Sequence, residues 1–406
     1  MRMMCALCGK EGMTQFLSLG HQPPSDAFLK KEDLEKPEIT YPLDLFFCSS
    51  CTLVQLGYAV DPDILFRDYV YNTSTNNSLK ANFKALVDKI ISEYQLVAGD
   101  FVIDIGSNDG TLLENYLPYQ IKVLGIDPSS ATSLALEKGV PTLVDYFNVE
   151  TAAKVCKEHG KAKIITATNV FAHVKALDSF MRGIKGLLDE KGVFISENGY
   201  VVDMIEGMQY DAIYHEHLRY YSVTALCALF ARYEMEVVSV ERIPSHGGSI
   251  RVYAAHKGAL PVSENVATLC ELEKEHGFTS LARYQTFANE VVVTKIALLD
   301  IIYTFKKKGA RIAGIGAPAK GNTLLNYCKL DGTFIECLTE KSALKIGLYS
   351  PGMHIPVIDE AYLFEEQPEA ALLLSWNLAD ELVPKIRQKG YKGVFIIPNP
   401  VPKCIE

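Results

Sequence analysis

Between residues 99 and 200 a short apolar run recurs five times, and each is followed by a polar loop and a stretch of helical period. The runs are Phe101–Ile105, 121–126, 141–144, 163–168 and 192–197. Runs this short and this uniformly apolar are buried strands. Their alternation with helices predicts an α/β unit, a parallel sheet covered by helices on both faces. Ligands of such sheets sit outside the carboxyl ends of the strands. The residues at those ends are 106–110, Asp127, Asp145 with Tyr146, Asn169 to His173, and Glu197 with Asn198.

Elsewhere the pattern is simpler. A helix is expected over 79–94 and another over 223–233. Strands at 237–240 and 250–254 flank Ser245-His-Gly-Gly-Ser249, whose paired glycines mark a hairpin turn. Leu269, Leu272, Leu281, Tyr284, Val291, Ile296, Leu299 and Ile302 keep helical period, so 258–305 reads as a long helical connector. A second strand, glycine loop and helix begins at Arg311-Ile-Ala-Gly-Ile-Gly316-Ala-Pro-Ala-Lys320-Gly321-Asn322. Strands at 335–338, 371–375 and 393–397 would complete a smaller sheet. The division expected is 1–65, 66–257, 258–305 and 306–406.

Length supports that division, since 406 residues exceed one ordinary core. A net charge of −9 argues against a nucleic acid or an anionic membrane as partner. No apolar run reaches the roughly 18–20 residues of a membrane span. The first residues carry no apolar signal-peptide core, so a reducing cytoplasm is the expected location. Four of the ten cysteines form two C-x-x-C pairs, Cys5/Cys8 and Cys48/Cys51. Two such knuckles offer four thiolates, the closed tetrahedral set of a structural Zn²⁺. Thiol redox chemistry uses a single pair and fits less well.

The loop after the first central strand holds Gly106 and Gly110 but no G-x-G-x-x-G. Its acids, Asp104 and Asp109, would repel a pyrophosphate and suit a cation, and a glycine there lets a ligand approach the backbone. Asp127 ends the next strand about 20 residues on, where an acid suits a ribose diol. Asp145 could accept from an adenine amino group, with Tyr146 or Phe147 against the ring. The second glycine loop differs: Lys320 and a helix N-terminus suit a phosphate, although Asn322 stands where a P-loop has its lysine. Tyr210 to Tyr221 gathers His215, Glu216 and His217 among four tyrosines, enough for a base, tuning partners and oxyanion donors. Metal ligation by His-x-His is the alternative. In an extended segment His215 and His217 would share one face and Glu216 the other. Tyr71 precedes a run of small polar residues that is a linker or a lid. His246 and Arg251 are candidates for substrate contact.

The D-x-G-x-x-x-G loop with its spaced acid resembles the S-adenosylmethionine (SAM) loop of class I methyltransferases. Nearly the whole chain resembles the SAM-dependent sugar C-methyltransferases of deoxysugar biosynthesis, which act at C-3 of nucleoside-diphosphate 4-keto-6-deoxyhexoses. The resemblance rests on Cys5/Cys8/Cys48/Cys51, residues 104–110, Tyr214-His-Glu-His217, Ser245-His-Gly-Gly-Ser-Ile-Arg251 and Gly316-Ala-Pro-Ala-Lys-Gly-Asn322. It implies an N-terminal zinc module, a central class I methyltransferase domain and a C-terminal Rossmann-like domain. By resemblance His217 is the general base, supported by Tyr214, Glu216 and His173. SAM would meet Asp104, Gly106, Asn108, Gly110, Asp127, Asp145, Tyr146 and Asn169. The nucleotide sugar would lie between the central and C-terminal domains, near Tyr71, Asn198, His246, Arg251, Lys320 and Asn322. Transfer to oxygen or nitrogen, or a zinc-containing nucleotide-sugar-binding protein without activity, are the alternatives.

Overall fold

A computed structural model describes residues 3–66, 73–75 and 77–406; the side chains of Phe66, Thr75, Asn77, Ser78 and His246 are outside that description. Tyr71 lies outside the described residues. Near the N-terminus β1 (Thr14–Gln22), β2 (Tyr41–Phe47) and β3 (Val54–Leu56) form an antiparallel meander. The central strands are β4 (Phe101–Ile105), β5 (Lys122–Ile126), β6 (Thr142–Leu143), β7 (Ala162–Thr168) and β8 (Leu188–Gly199). After the two-residue β9 (Arg219–Tyr220) come β10 (Met235–Ile243) and β11 (Ser249–His256). The C-terminal strands are β12 (Ile312–Ile315), β13 (Leu338–Glu340), β14 (Val357–Asp359), β15 (Ala370–Leu373), β16 (Val394–Ile397) and β17 (Lys403–Ile405).

The central sheet has the order β10-β11-β8-β7-β4-β5-β6, parallel from β6 to β8 and antiparallel beyond. Every residue of β4 is buried, as a strand covered on both faces must be. Phe101, Ile103 and Ile105 face one core and Val102 the other, the two-residue period of a strand. The C-terminal sheet, β14-β13-β12-β15-β16-β17, repeats the parallel arrangement: its first strand in sequence again lies between the second and the fourth.

The helix Leu281–Lys307 joins the cores. Tyr284, Phe287 and Val291 pack in the core shared by the N-terminal meander and the central sheet, whereas Leu298 and Ile302 pack in the C-terminal one. Ser280 caps it by accepting from the Ala282 N–H at 3.3 Å. Two local expectations were displaced. The helix expected behind Leu112 is a 3-10 stretch, Leu113–Tyr119, with Pro118 inside it. The strand expected at 335–338 lies at Leu338–Glu340, because Ile335 is buried in the loop before it.

Candidate active site and zinc centre

In the N-terminal module the Gly9 N–H bonds the Cys5 carbonyl at 2.9 Å and the Thr52 N–H bonds the Cys48 carbonyl at 2.8 Å. These turns aim four thiols at one point. Cys5 and Cys51 Sγ are 3.5 Å apart, Cys8 and Cys48 Sγ 3.6 Å, and all four lie within 4.8 Å of one another. A tetrahedral Zn²⁺ with sulfurs at about 2.3 Å spaces them about 3.8 Å apart, so the donor set fits. Among the described residues no other group of three metal-binding side chains is brought together. The His-x-His alternative therefore finds no third ligand among the described residues.

At the carboxyl edge of the central sheet the glycines lie close against the protein's own side chains. Gly106 has φ +69°, and a Cβ there would stand 2.2 Å from Val170 Cγ2. Gly110 (φ +74°) would meet Ala135 and Val140. The absent side chains make room for close packing of Val170, Ala135 and Val140. The acids are also turned inward. Asp104 accepts from Thr166 Oγ1 at 2.6 Å, and burial, with Asp127 adding, raises its carboxyl to about 7. Asp109 accepts from the Ser74 N–H and from Thr111, with Lys138 beside it. Neither is an open anion waiting for a sulfonium.

Asp127 keeps its expected place at the end of β5. It accepts from the Asn108 N–H at 2.9 Å and from Ser129 N–H and Oγ at 2.8 and 2.5 Å. Asn108 and Asn169 both take left-handed backbone, φ +49° and +57°, which asparagine tolerates. Asn198, near the end of β8, is buried, and neither of its amide atoms has a partner among the described residues. A buried primary amide is costly unless something bonds it. The residues on this edge therefore suit a cofactor with a ribose and polar groups. Asp145 and Tyr146 lie farther out and exposed, the Tyr146 hydroxyl 3.4 Å from Asp63.

Residues 213–218 are a turn rather than an extended segment: the His217 N–H bonds the Tyr214 carbonyl at 3.0 Å. His215 and His217 consequently part, correcting the alternation expected of a strand. His215 is buried edge-on against Tyr41, and burial lowers it to about 4. His217 stands among Tyr214 (ring centroids 4.1 Å), His173 (5.0 Å) and Tyr220 (6.2 Å). Its Nδ1 lies 3.2 Å from the Ala212 carbonyl. A carbonyl only accepts, so Nδ1 carries the proton and Nε2 the lone pair. Burial, then His217, pushes His173 down to about 3 and keeps it neutral. Glu216 is buried, with Ser25 Oγ 3.4 and 3.3 Å from its oxygens; burial, then Asp26, raises it to about 7.

The substrate candidates are scattered. Arg251 pairs with Glu197 at 2.7 Å, its cross-strand neighbour in the β11–β8 register, and also meets Glu241 and Asn82. Its guanidinium is thus engaged by protein groups on two sides. Asn322 Nδ2 donates to the Ser25 carbonyl at 2.7 Å, joining the C-terminal unit to the N-terminal module. Lys320 bonds Asn377 and lies over the Trp376 ring. The hairpin tip bearing His246 is a 3-10 turn, Ser245–Gly247.

Sequence reasoning missed Ser25, Asp211, Trp376 and Glu340. Glu340 alone had a signal, as an acid ending the second strand of a glycine-loop unit. The two units are built alike there. Gly106 donates to the Ile126 carbonyl and Gly316 to the Thr339 carbonyl, each at 2.8 Å. The next residue is the acid, and a loop N–H bonds each: Asn108 to Asp127, and Ala317 to Glu340 at 2.9 Å.

Three family models match in succession: "Putative zinc binding domain" over 5–66, "Methyltransferase domain" over 79–240 and "C-methyltransferase C-terminal domain" over 244–400. The chain is 32% identical over 405 residues to the C-methyltransferase NovU of Streptomyces niveus, covering 99% of this chain and 96% of that one. Among solved structures, a SAM-dependent methyltransferase from Clostridium acetobutylicum matches at 15% identity and TM-score 0.35, over 44% of this chain and 92% of its own. Magnesium protoporphyrin IX methyltransferase from Synechocystis with bound SAH matches at 12% identity and TM-score 0.36, over 47% and 90%.

Proposed function

The chain belongs to the C-methyltransferase family, and from that premise we propose that it methylates C-3 of a nucleoside-diphosphate 4-keto-6-deoxyhexose. It is a SAM-dependent C-methyltransferase with a four-cysteine zinc module. No described helix is long and apolar enough to cross a membrane. The sugar, its nucleotide and C-3 belong to the proposal, as do the residue roles and the division at 65, 257 and 305.

The observation that carries it is the His217 cluster. A hydrogen on carbon beside a ketone is acidic enough for an imidazole to remove, given a donor to the oxyanion. His217 Nε2 holds the lone pair for that step. As the C–H pair moves into the ring, charge gathers on the C-4 oxygen, where Tyr214 or His173 donates; one such donor is worth about 3–4 kcal/mol. Neutral His173 places no competing positive charge beside the imidazole. When bound, SAM supplies the methyl on a sulfonium that departs as a neutral thioether. The sugar carbon forms the new C–C bond with the pair left by the proton, and His217 holds that proton until product leaves.

The repeated construction supports placing the nucleoside in the C-terminal unit. Glu340 stands there as Asp127 does in the central one, able to accept from a sugar hydroxyl. Lys320 supplies the positive charge a diphosphate needs.

The test is mass spectrometry of reactions with SAM and a panel of nucleoside-diphosphate 4-keto-deoxysugars. A product heavier by one methyl, bonded to carbon by NMR, is expected. His217→Asn should fold and bind SAM yet neither methylate nor exchange the C-3 hydrogen with D₂O. Full turnover by that variant removes His217 from the mechanism.

A further inference from the structure

The turn before the candidate base holds a carboxylate that the scheme above does not use. Asp211 is fully buried. Trp376 Nε1 donates to its Oδ2 at 2.6 Å, and no described group bonds its Oδ1. Trp376 follows β15, at the carboxyl edge of the C-terminal sheet, with Lys320 Nζ 5.0 Å above its ring.

Burying a carboxylate costs several kcal/mol unless its partners repay it. Docking alone does not call for one. Tyr210 already packs against Tyr327 with ring centroids 5.5 Å apart, and its hydroxyl lies 3.9 Å from Cys328 Sγ. What the acid adds is a directed bond at one point of the 3-10 turn Tyr210–Ala212. The next residue is Ala212, whose carbonyl holds Nδ1 of His217 at 3.2 Å. The indole N–H, the carboxylate, the turn and the carbonyl therefore stand in series behind the imidazole.

We propose that Asp211, anchored by Trp376, is a positioning residue that sets the tautomer and aim of His217. This rests on His217 being the base. It makes proton removal depend on the C-terminal sheet being seated, at the same edge where the nucleotide is proposed to bind. Binding there and base alignment would then be coupled through one hydrogen bond.

The experiment compares Trp376→Phe, which keeps ring bulk and deletes the N–H, with Asp211→Asn, which keeps an acceptor oxygen, and Asp211→Leu, which does not. Exchange of the C-3 hydrogen with D₂O is followed on thymidine-diphosphate 4-keto-6-deoxyglucose as probe. The tautomer of His217 is read from imidazole ¹⁵N shifts of the free enzyme. Exchange should fall about 10–100-fold in Trp376→Phe and Asp211→Leu, with KM changed by less than about two-fold, because misplacing a reacting group costs rate. The ¹⁵N spectrum should show Nε2-protonated imidazole appearing, and Asp211→Asn should retain most of the exchange. Wild-type exchange and an unchanged tautomer in Trp376→Phe overturn the proposal. So does a rate loss without any tautomer change, which marks a merely structural role. Should Trp376→Phe not fold, Asp211→Leu against Asp211→Asn decides by the same readouts. His217→Asn is run alongside: exchange persisting there sinks the base assignment itself, whereas exchange lost there but kept in Trp376→Phe sinks only the positioning role.

Discussion

Replacing Gly106 by alanine asks whether that glycine serves a ligand or the fold. Its φ of +69° lies in the left-handed region, where a Cβ costs about 1–2 kcal/mol. The new methyl would also stand 2.2 Å from Val170 Cγ2 and 3.2 Å from Val170 Cβ and Cγ1. Contacts that short cannot persist, and overpacking of this kind costs about 1–3 kcal/mol. The two terms together predict a loss of about 2–5 kcal/mol in the protein without SAM. Val170→Ala separates them. It removes both γ-methyls at a cost of about 1–2 kcal/mol, and so relieves the overlap while leaving the backbone strain. The double variant should therefore be more stable than the sum of the single losses by about 1–3 kcal/mol. Urea unfolding followed by circular dichroism measures the cycle, and calorimetry measures SAM affinity in each protein. If Gly106→Ala unfolds like the wild type and loses only SAM affinity, the glycine faces the cofactor and the packing argument is wrong.

Arg251→Met should destabilise by about 3–5 kcal/mol by leaving Glu197 buried and unpaired, and adding Glu197→Gln should recover much of the loss; a thermal shift series checks this, and equal midpoints for single and double variants refute it. His215 contributes stability that is lost as pH falls from about 6.5 towards 4, because unfolded histidines take protons there that the buried ring, held near 4, refuses; Asp104 and Glu216, raised to about 7, act in the opposite sense. At pH 5 the His215 share is about 2 kcal/mol. In urea unfolding, His215→Gln should raise stability at pH 5 relative to that at pH 7.5 by that amount, and an unchanged relation between the two counts against it. Removing zinc with a chelator should abolish activity and restore it on adding Zn²⁺, with zinc content followed by atomic emission; full turnover by metal-free protein refutes a structural need.

The sequence exposed elements whose period is long or whose chemistry is local. The β4 run, the hairpin around Gly247-Gly248 and the two cysteine knuckles all fall where their patterns point. Other features were invisible because they depend on partners distant in the chain. Nothing in Gln-Pro-Pro-Ser25-Asp marks a residue that meets Glu216 on one side and Asn322 on the other. Asp211 reads as an ordinary polar residue until Trp376, 165 positions away, is set against it. The pairing of Arg251 with Glu197 was hidden for the same reason, since it crosses a strand register that single-sequence periodicity does not fix. The glycine loop is a different case: its residue type pointed to a close approach, and Val170 is a neighbour that makes one.

The placement of the candidate base explains why three units share one chain. His217 sits on a turn, and a turn alone would not aim an imidazole. Downstream, β9 adds as a fourth strand to the N-terminal meander, with Val54 opposite Tyr220, and the Leu56 N–H bonds the Leu218 carbonyl at 2.9 Å. Upstream, Asp211 is tied to Trp376 of the C-terminal unit. Between these anchors Glu216 meets Ser25, whose carbonyl is held by Asn322. The meander itself rests on the connector helix, Phe47 and Phe16 meeting Tyr284 at 4.7 and 5.2 Å between ring centroids. In the proposed scheme the zinc module bears on the base mechanically: the metal would fix the meander, the meander pairs with β9, and β9 follows the turn. The C-terminal sheet fixes the other end. Loosening either anchor should then cost rate before it costs SAM affinity, because Asp127, at the end of β5, holds the Asn108 N–H, and Thr73 N–H and Oγ1 donate to the Asn108 side chain.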